Sequence, residues 1–368
     1  MCIRDRLNRC YPQNLKKLMY WLSSTHNRII LDSDNMESIP LVRARYANNF
    51  VAALKQYGAP VEKYLLRAHL PVELLERSNG IISAHSLWNF AEDAALSTGI
   101  TDIGFWAGTA PIDVHGDFGT RVIHAPSLYS AIETFCSEAR AEYSKAEFYL
   151  IHDNSTAWFC RGPIEGRPEQ RKQVELYVMV LMLQTIQIFL GHDWRPNKLR
   201  LQSTQKSDIS GNDTLLNINV EFGSPITAIA IPIPSLATSM PVTEKNAVSS
   251  IKPAPIPELS SSEPLTTLRN LLAVYIRSIK HPNIELAADI AGTSTRSLQR
   301  FLHNRGTTYR QLIDQVRFNL AIPLLNDESL TITEISYELG YDNVSHFSRA
   351  FRRITGMSPR TYRQKLEC

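Results

Sequence analysis

The chain has 368 residues, of which 43% are hydrophobic and 20% are charged. This composition supplies a core for two or three domains and excludes a chain too polar to fold. The net charge of +3 does not by itself mark a nucleic-acid-binding protein, but the charge is uneven. Residues 263–368 hold 14 Lys and Arg against 10 Asp and Glu, whereas residues 36–262 hold 19 against 23. An acidic body therefore precedes a basic carboxy-terminal end.

The first 35 residues allow two interpretations. They are either a disordered or helical extension, or sequence foreign to the native protein. The second interpretation arises because an amphipathic helix pattern begins directly after Met36, which is a candidate start.

From about residue 40 to residue 140 the pattern is helical. Apolar spacing predicts a first helix over 41–58, ended by Gly58, and a later helix with Ser127 as its N-cap. The pattern then changes to that of strands, at 146–153, 156–162, 198–204, 215–223 and 227–234. Residues 36–240 are therefore predicted to form an α+β domain.

A long apolar helix, expected over 168–190, interrupts these strands. Its most apolar part is 174–190, which contains Glu175 and two glutamines and is shorter than the roughly 20 apolar residues of a membrane span. We therefore expect a core or dimer-interface helix and no membrane association. The five cysteines form no CxxC pair, which favours a reducing cytoplasm.

Residues 241–264 are rich in Pro and Ser and predict a partly extended linker. The segment that follows, 265–368, is predicted to be an all-α domain. Its most informative feature is an internal repeat at an offset of 49 residues, in which apolar residues recur at helical spacing. The matched pairs are Glu285 with Glu334, Leu286 with Ile335, Ile290 with Leu339, Leu298 with Phe347, Arg300 with Arg349 and Leu302 with Phe351.

Each copy of the repeat has the pattern of two helices joined by a tight turn, over about 284–305 and 332–355. Gly292 and Gly340 occupy the two turns, and N-cap residues follow each of them. This is the helix-turn-helix plan, whose second helix lies in the major groove of DNA.

A connecting helix is predicted over Tyr309–Leu325, between the two units. At 1.5 Å per residue it spans roughly 25 Å. The two recognition helices would then lie about one DNA turn apart, roughly 34 Å, so that one chain reads two successive major grooves.

The chain resembles the AraC/XylS family of bacterial transcriptional regulators over residues 266–366. The runs that carry the resemblance are LAADIAGTSTRSLQRFLHNRG, RFNLAIPLL and ISYELGYDNVSHFSRAFRRITGMSPRTYRQ. Pro323 departs from the pattern and is expected to kink the connecting helix or to end it early, which would change the spacing of the two units. The resemblance implies a sequence-specific regulator of transcription that binds a double-stranded DNA operator, with RNA polymerase as a possible further partner.

Candidate DNA contacts lie on the two recognition helices. The resemblance implies that the base-reading side chains are Arg296, Gln299, Arg300, Ser345 and Arg349, with Val344 and His346 as nearby candidates. The groups expected at phosphates are Ser294, Arg310, Asn343, Arg352, Arg353, Arg360 and Arg363. The alternative for the arginines is that they are solvated or paired with acidic side chains and do not contact DNA. Tyr362 is expected to pack under the second unit.

The amino-terminal domain resembles the sensor domain of an AraC-family branch that controls amino-acid and metabolite use. The resemblance implies a small-molecule effector and a homodimer. The domain offers Trp88, Trp106, Trp158, His115 and Arg121, but the pattern selects no effector-binding residue. We expect no catalytic residue, no metal and no cofactor.

Two other interpretations compete with that of a ligand-responsive transcription factor. The first is an enzyme fused to a DNA-binding end, with Cys136 or Cys160 as a reactive thiol. The second is an architectural DNA-binding protein without sequence preference, for which we would expect more charge and fewer Gln and Ser residues facing the groove.

Overall fold

The computed structural model describes residues 36, 38–76, 80–153, 155–204, 218–240, 259 and 263–366. The extension over 1–35 and most of the expected linker lie outside these residues. So do Cys2, Cys10, Cys368 and Asn154 of the expected turn at 153–155.

The first part of the chain is built from eight helices and seven strands within the described residues. In chain order these are β1 (Leu41–Arg43), α1 (Arg45–Gln56), α2 (Val61–Arg67), α3 (Val72–Leu75), β2 (Ile81–Ser83), α4 (Ala84–Thr98), α5 (Ile103–Gly108), α6 (Gly116–Ile123), α7 (Leu128–Glu138), β3 (Phe148–His152), β4 (Thr156–Arg161), α8 (Pro168–Leu190), β5 (Lys198–Arg200), β6 (Asn219–Glu221) and β7 (Thr227–Pro232). Ser127 caps α7 as predicted, its side chain accepting from the Ser130 amide.

The second part, described from Glu263 onward, is helical. Its helices are α9 (Pro264–Ile279), α10 (Ile284–Ala291), α11 (Thr295–Asn304), α12 (Tyr309–Leu325), α13 (Ile332–Glu338), α14 (Val344–Thr355) and α15 (Pro359–Leu366). The predicted fold class, an α+β domain followed by an all-α domain, is confirmed.

A five-stranded sheet forms one layer of the first domain, in the order β3-β4-β7-β5-β6. Its pairs are antiparallel except β5 with β6, which run parallel. The predicted strands are present, although β5 and β6 are shorter than the predicted 198–204 and 215–223, and residues 215–217 lie outside the described part of the chain. One expectation is wrong, because the first helix does not begin at residue 41. Leu41–Arg43 instead form a strand that pairs with Ile81–Ser83, so a long-range partner overrides the local helical pattern.

The apolar helix α8 lies in the core. Among the described residues it is the one helix long and apolar enough to cross a membrane, and 67% of its apolar window is buried inside the domain. Its buried Glu175 accepts hydrogen bonds from the amides of Gln202 and Ser203 at 2.6 and 2.9 Å, and from the Thr227 hydroxyl at 2.5 Å. The carboxylate therefore fastens the helix to the sheet, as a buried charge needs such donors.

The helical domain packs directly on the first domain. Helix α10 contacts α4, and α9 contacts β2. Leu259, within the expected linker, is buried and its amide donates to the Arg140 carbonyl at 3.0 Å. The two domains are therefore joined by packed contacts as well as by the intervening chain.

Candidate DNA-binding surface and effector cavity

The first helix-turn-helix unit consists of α10 and α11. Gly292 ends α10 with a φ of 65°, a left-handed conformation that favours glycine. Ser294 caps α11, its hydroxyl accepting from the Ser297 amide at 3.1 Å. Both expectations are confirmed, and the turn fixes the direction in which α11 leaves.

The second unit consists of α13 and α14 and repeats this construction. Gly340 has a φ of 74°, and the Asn343 side chain caps α14 by accepting from the His346 amide at 2.9 Å. Phe347 and Phe351 on the inner face of α14 are buried, and Tyr362 packs on their cluster as expected.

The outer faces of the recognition helices carry the expected base-reading residues. Arg296, Gln299, Ser345, His346 and Arg349 are exposed, and Arg300 and Val344 are half-buried. Leu298, Phe301 and Leu302 are buried on the inner face of α11. Each helix therefore turns its apolar side to the domain and a polar side to solvent.

The expected phosphate-binding arginines divide into two groups. Arg310, Arg352 and Arg360 are exposed. Arg353 pairs with Asp314 of α12, and the Arg363 Nε donates to the Leu325 carbonyl at the end of α12, at 3.0 Å. The last two arginines therefore also bind protein groups, a possibility that the sequence pattern left open.

Arg317 of the connecting helix α12 joins the turn of the second unit to the end of α9. Its Nη2 donates to the carbonyls of Lys280 and Gly340, both at 3.1 Å, and its guanidinium lies 4.6 Å from the Tyr341 ring centroid. A Cβ at Gly340 would collide with the Lys280 carbonyl, so glycine permits this close approach. Helix α12 also continues past Pro323 to Leu325, over the predicted bounds.

A groove of about 710 Å³ runs between α12 and α14. It is lined by Arg310, Arg317, Arg349, Arg353, His281 and His346, together with Asp314 and Asp342. Basic groups outnumber acids along it, which makes an anion-attracting surface. Sequence reasoning missed His281 and Arg317, because neither lies on a recognition helix.

The first domain contacts the first helix-turn-helix unit at its turn. The Ser83 hydroxyl, at the start of α4, donates to the Ile290 carbonyl at 2.6 Å, and both groups are buried. The His85 ring lies against Gly292, where a Cβ would collide with Nε2. Burial lowers the pKa of His85 to about 4, so the ring is neutral at pH 7.

A cavity of about 70 Å³ lies inside the first domain, beside α4 and α8. Most of its lining is aromatic or aliphatic, and its two charged groups are Glu142 and Arg161. Trp88 lies in its wall, whereas Trp106 is exposed and Arg121 pairs with Glu138. Among the described residues, no cluster of three or more His, Cys, Asp or Glu side chains is placed to hold a metal ion.

Two family models match the chain. The helix-turn-helix domain model matches residues 287–365, and the model of the arabinose-binding domain of AraC transcription regulators, an amino-terminal domain, matches residues 58–240. Both parts of the architecture are thereby assigned. The chain belongs to the AraC family of transcriptional regulators. As in that family, a helix-turn-helix domain that binds DNA follows an effector-binding domain.

Two curated regulators and one solved structure are also similar to the chain. The ornithine utilization regulator of Pseudomonas aeruginosa is 27% identical over 331 residues, which cover 88% of this chain and 96% of that protein. The regulator VqsM of the same organism is 36% identical over 98 residues, 26% of this chain and 30% of VqsM. The crystal structure of the Pseudomonas aeruginosa regulator CdpR matches 83% of this chain and 96% of its own, at 22% identity and a TM-score of 0.35.

Proposed function

We propose that this AraC-family regulator binds one operator with both recognition helices, α11 and α14, in two successive major grooves. The observation that carries the proposal is the double hydrogen bond of Arg317, which fixes the second unit against the end of α9. Fixed units suit a fixed spacing of half-sites on one face of the duplex.

Within this complex, the exposed polar faces of α11 and α14 read bases. Arg296, Arg300 and Arg349 supply forked donors suited to guanine, and Gln299 supplies a donor and an acceptor suited to adenine. Val344, Ser345 and His346 supplement them. The N-terminal turns at Ser294 and Asn343, with Arg310, Arg352 and Arg360, bind phosphates. Arg353 could bind a phosphate only if it shared or released Asp314, and Arg363 only if it shared or released the Leu325 carbonyl.

We further propose that a small-molecule effector in the cavity of the first domain acts through α4. Trp88 lines the cavity, its ring centroid lies 5.2 Å from that of His85, and His85 packs on the turn of the first unit. An effector that prefers one docked arrangement would change how the first recognition helix is held.

The protein is proposed to act as a homodimer in the cytoplasm, on the nucleoid when bound to DNA, and to contact RNA polymerase where it activates. Dimerisation would raise operator affinity through effective concentration. An enzymatic role is disfavoured because burial raises the pKa of the Cys136 and Cys160 thiols, and a protonated thiol is a weak nucleophile.

The test is selection of DNA by the full chain from a randomised duplex pool. Two enriched motifs about one helical turn apart are expected, roughly 10 bp between their centres. Insertion of half a turn between them should weaken binding strongly, since the second helix then faces the wrong side. Equal recovery of all sequences would support an architectural DNA-binding protein and refute the proposal.

A further inference from the structure

Arg161 is the most unusual side chain of the first domain. It is only 2% exposed, in strand β4, and its side chain lines the cavity. Arginine remains protonated in proteins, so this site buries a full positive charge. A buried charge normally requires an oppositely charged partner.

Direct contacts of Arg161 leave that requirement unmet, because Glu147 and Glu165 favour its charged form through space but form no ion pair with it and do not line the cavity. Its Nη1 donates to the carbonyls of Gly162 and Pro163 at 3.3 and 3.5 Å, and its Nε is buried without a hydrogen-bond partner. Among the described residues no carboxylate forms an ion pair with it. The guanidinium thus has donor capacity left inside an apolar cavity.

Aromatic rings surround this guanidinium. The ring centroids of Tyr143 and Phe148 lie 5.7 and 5.1 Å from its Cζ, and both residues line the cavity. Such rings stabilise a cation without neutralising its charge. A carboxylate can accept from a guanidinium in the guanidinium plane, often with two parallel hydrogen bonds.

The other charged group of the cavity, Glu142, already has a cationic neighbour. Its Oε2 lies 3.7 Å from the Nε of Arg45. This Oε2 accepts no hydrogen bond, and burial raises the pKa of the Glu142 carboxyl to about 7, so its negative charge is only partial at pH 7. Arg161 keeps its full charge without an ion pair inside the cavity, so an anionic ligand is the better match. The charge balance of the cavity favours an anion over a cation or a zwitterion.

The remaining lining residues limit the size of the ligand and favour an apolar group outside its carboxylate. Phe50, Leu87, Trp88 and Phe118 are among the apolar groups in the wall. The cavity volume is about 70 Å³, and since one water needs roughly 10–15 Å³, it holds about five groups of that size. A short branched chain or a single small ring fits these dimensions.

We propose that the cavity binds a small carboxylic acid with an apolar body and no ammonium group, whose carboxylate accepts hydrogen bonds from Arg161. This inference rests on the proposed function of the first domain as an effector-binding domain, and it adds the chemical class of the effector. The body of the acid packs beside Trp88, the residue that connects the cavity with His85.

The test compares matched probes on the full chain at pH 7. The probes are 3-methylbutanoate, 3-methylbutanamide, 3-methylbutylamine and valine, which share a branched apolar body and differ in charge. Calorimetric titration is expected to give a Kd at least tenfold lower for the acid than for the amide. Equal Kd values for acid and amide, no binding of the acid, or tighter binding of the amine or of valine would overturn the proposal.

Two variants locate the anion site. Arg161→Met keeps most of the side-chain volume and removes the charge, so the preference for acid over amide should disappear while the thermal midpoint stays unchanged or rises. Arg200→Met is the matched control, because Arg200 stacks on Trp158 and pairs with Glu221 instead of lining the cavity, and it should keep the preference. A folded Arg161→Met protein that keeps the preference would overturn the proposal, and if this variant does not fold, the wild-type comparison still decides.

Binding of selected DNA is measured on the same samples without any probe. DNA binding together with no preference for the acid would overturn the ligand assignment and leave the proposed regulator intact. If the wild-type chain showed no sequence-specific DNA binding, the proposed function itself would be refuted.

Discussion

His85 of the first domain lies against Gly292, the turn glycine of the first helix-turn-helix unit, so closely that a Cβ added at Gly292 would displace the ring. The hydrogen bond from Ser83 to the Ile290 carbonyl lies beside this contact, two residues before Gly292 in the chain. Because Trp88 of the same helix lines the cavity, α4 joins the proposed effector site to the DNA-binding domain.

Removal of the His85 ring should loosen this docking. In the His85→Ala chain we expect amide hydrogens of α10 and of the first turn of α11 to exchange about tenfold faster, because a packed ring is lost from the contact. This corresponds to a fall of about 1.4 kcal/mol in the free energy of local opening. Hydrogen-exchange mass spectrometry of the full chain measures this. His192→Ala, at an exposed site of the first domain, is the control and should leave exchange unchanged. Unaltered exchange in both variants would mean that the ring does not hold the unit.

The same contact should weaken in acid. Burial lowers the pKa of His85 from 6.5 to about 4, so the folded protein binds this proton more weakly than the unfolded chain does. The contribution of His85 to the free energy of unfolding is therefore fully present above pH 6.5. It falls by up to about 3 kcal/mol as the pH falls towards 4.

A neutral variant isolates this effect from other groups. His115, whose pKa burial lowers to about 3, titrates in both proteins and cancels in the comparison. The free energy of unfolding of wild type should fall relative to that of His85→Asn between pH 6.5 and 4.5. Parallel stability curves over this interval would show that His85 does not titrate as described.

Loss of the Arg317 side chain should release the second unit from the end of α9. Arg317→Met removes both hydrogen bonds, so we expect a loss of about 1–3 kcal/mol in stability and weaker discrimination between operators with correct and altered half-site spacing. Fluorescence anisotropy with natural-spaced and half-turn-shifted duplexes measures the ratio of affinities. Arg277→Met, at an exposed position of α9, serves as the control. A ratio equal to that of wild type would contradict the fixing role of Arg317.

The predicted division between base and phosphate contacts is tested on α14. Arg349→Ala should weaken operator binding by about 1–3 kcal/mol and relax the base preference at one step of the site, because a forked base contact is lost. Arg352→Ala should weaken all sequences alike and reduce the salt dependence of binding. If Arg349→Ala left the ranking of operator variants unchanged, its base-reading role would be wrong.

The sequence predicted the local features of the DNA-binding domain well. The bounds of α12, the N-caps Ser294 and Asn343, and the buried faces of α11 and α14 depend on residues within one or two turns of each other, where spacing is informative. The same holds for α8, whose end at Gly191 follows from a local stop signal.

Contacts between residues that are far apart in the sequence could not be predicted in this way. Ser83 and Ile290 are 207 positions apart, and Arg317 meets Lys280 and Gly340 across two turns. The strand that contains Arg161 was predicted, but nothing in TAWFCRG distinguishes a buried arginine at a cavity from one at a strand end. The error at Leu41–Arg43 has the same cause, since the partner strand lies 40 residues away.

Hydroxyl-radical footprinting of the full chain on selected DNA tests the central claim most directly, that one chain reads two successive major grooves. This mode of binding predicts two protected segments per chain on one face of the duplex, about one helical turn apart, and loss of the segment nearer α14 in the Arg349→Ala protein. A single protected segment per chain, or protection that does not depend on sequence, would contradict it.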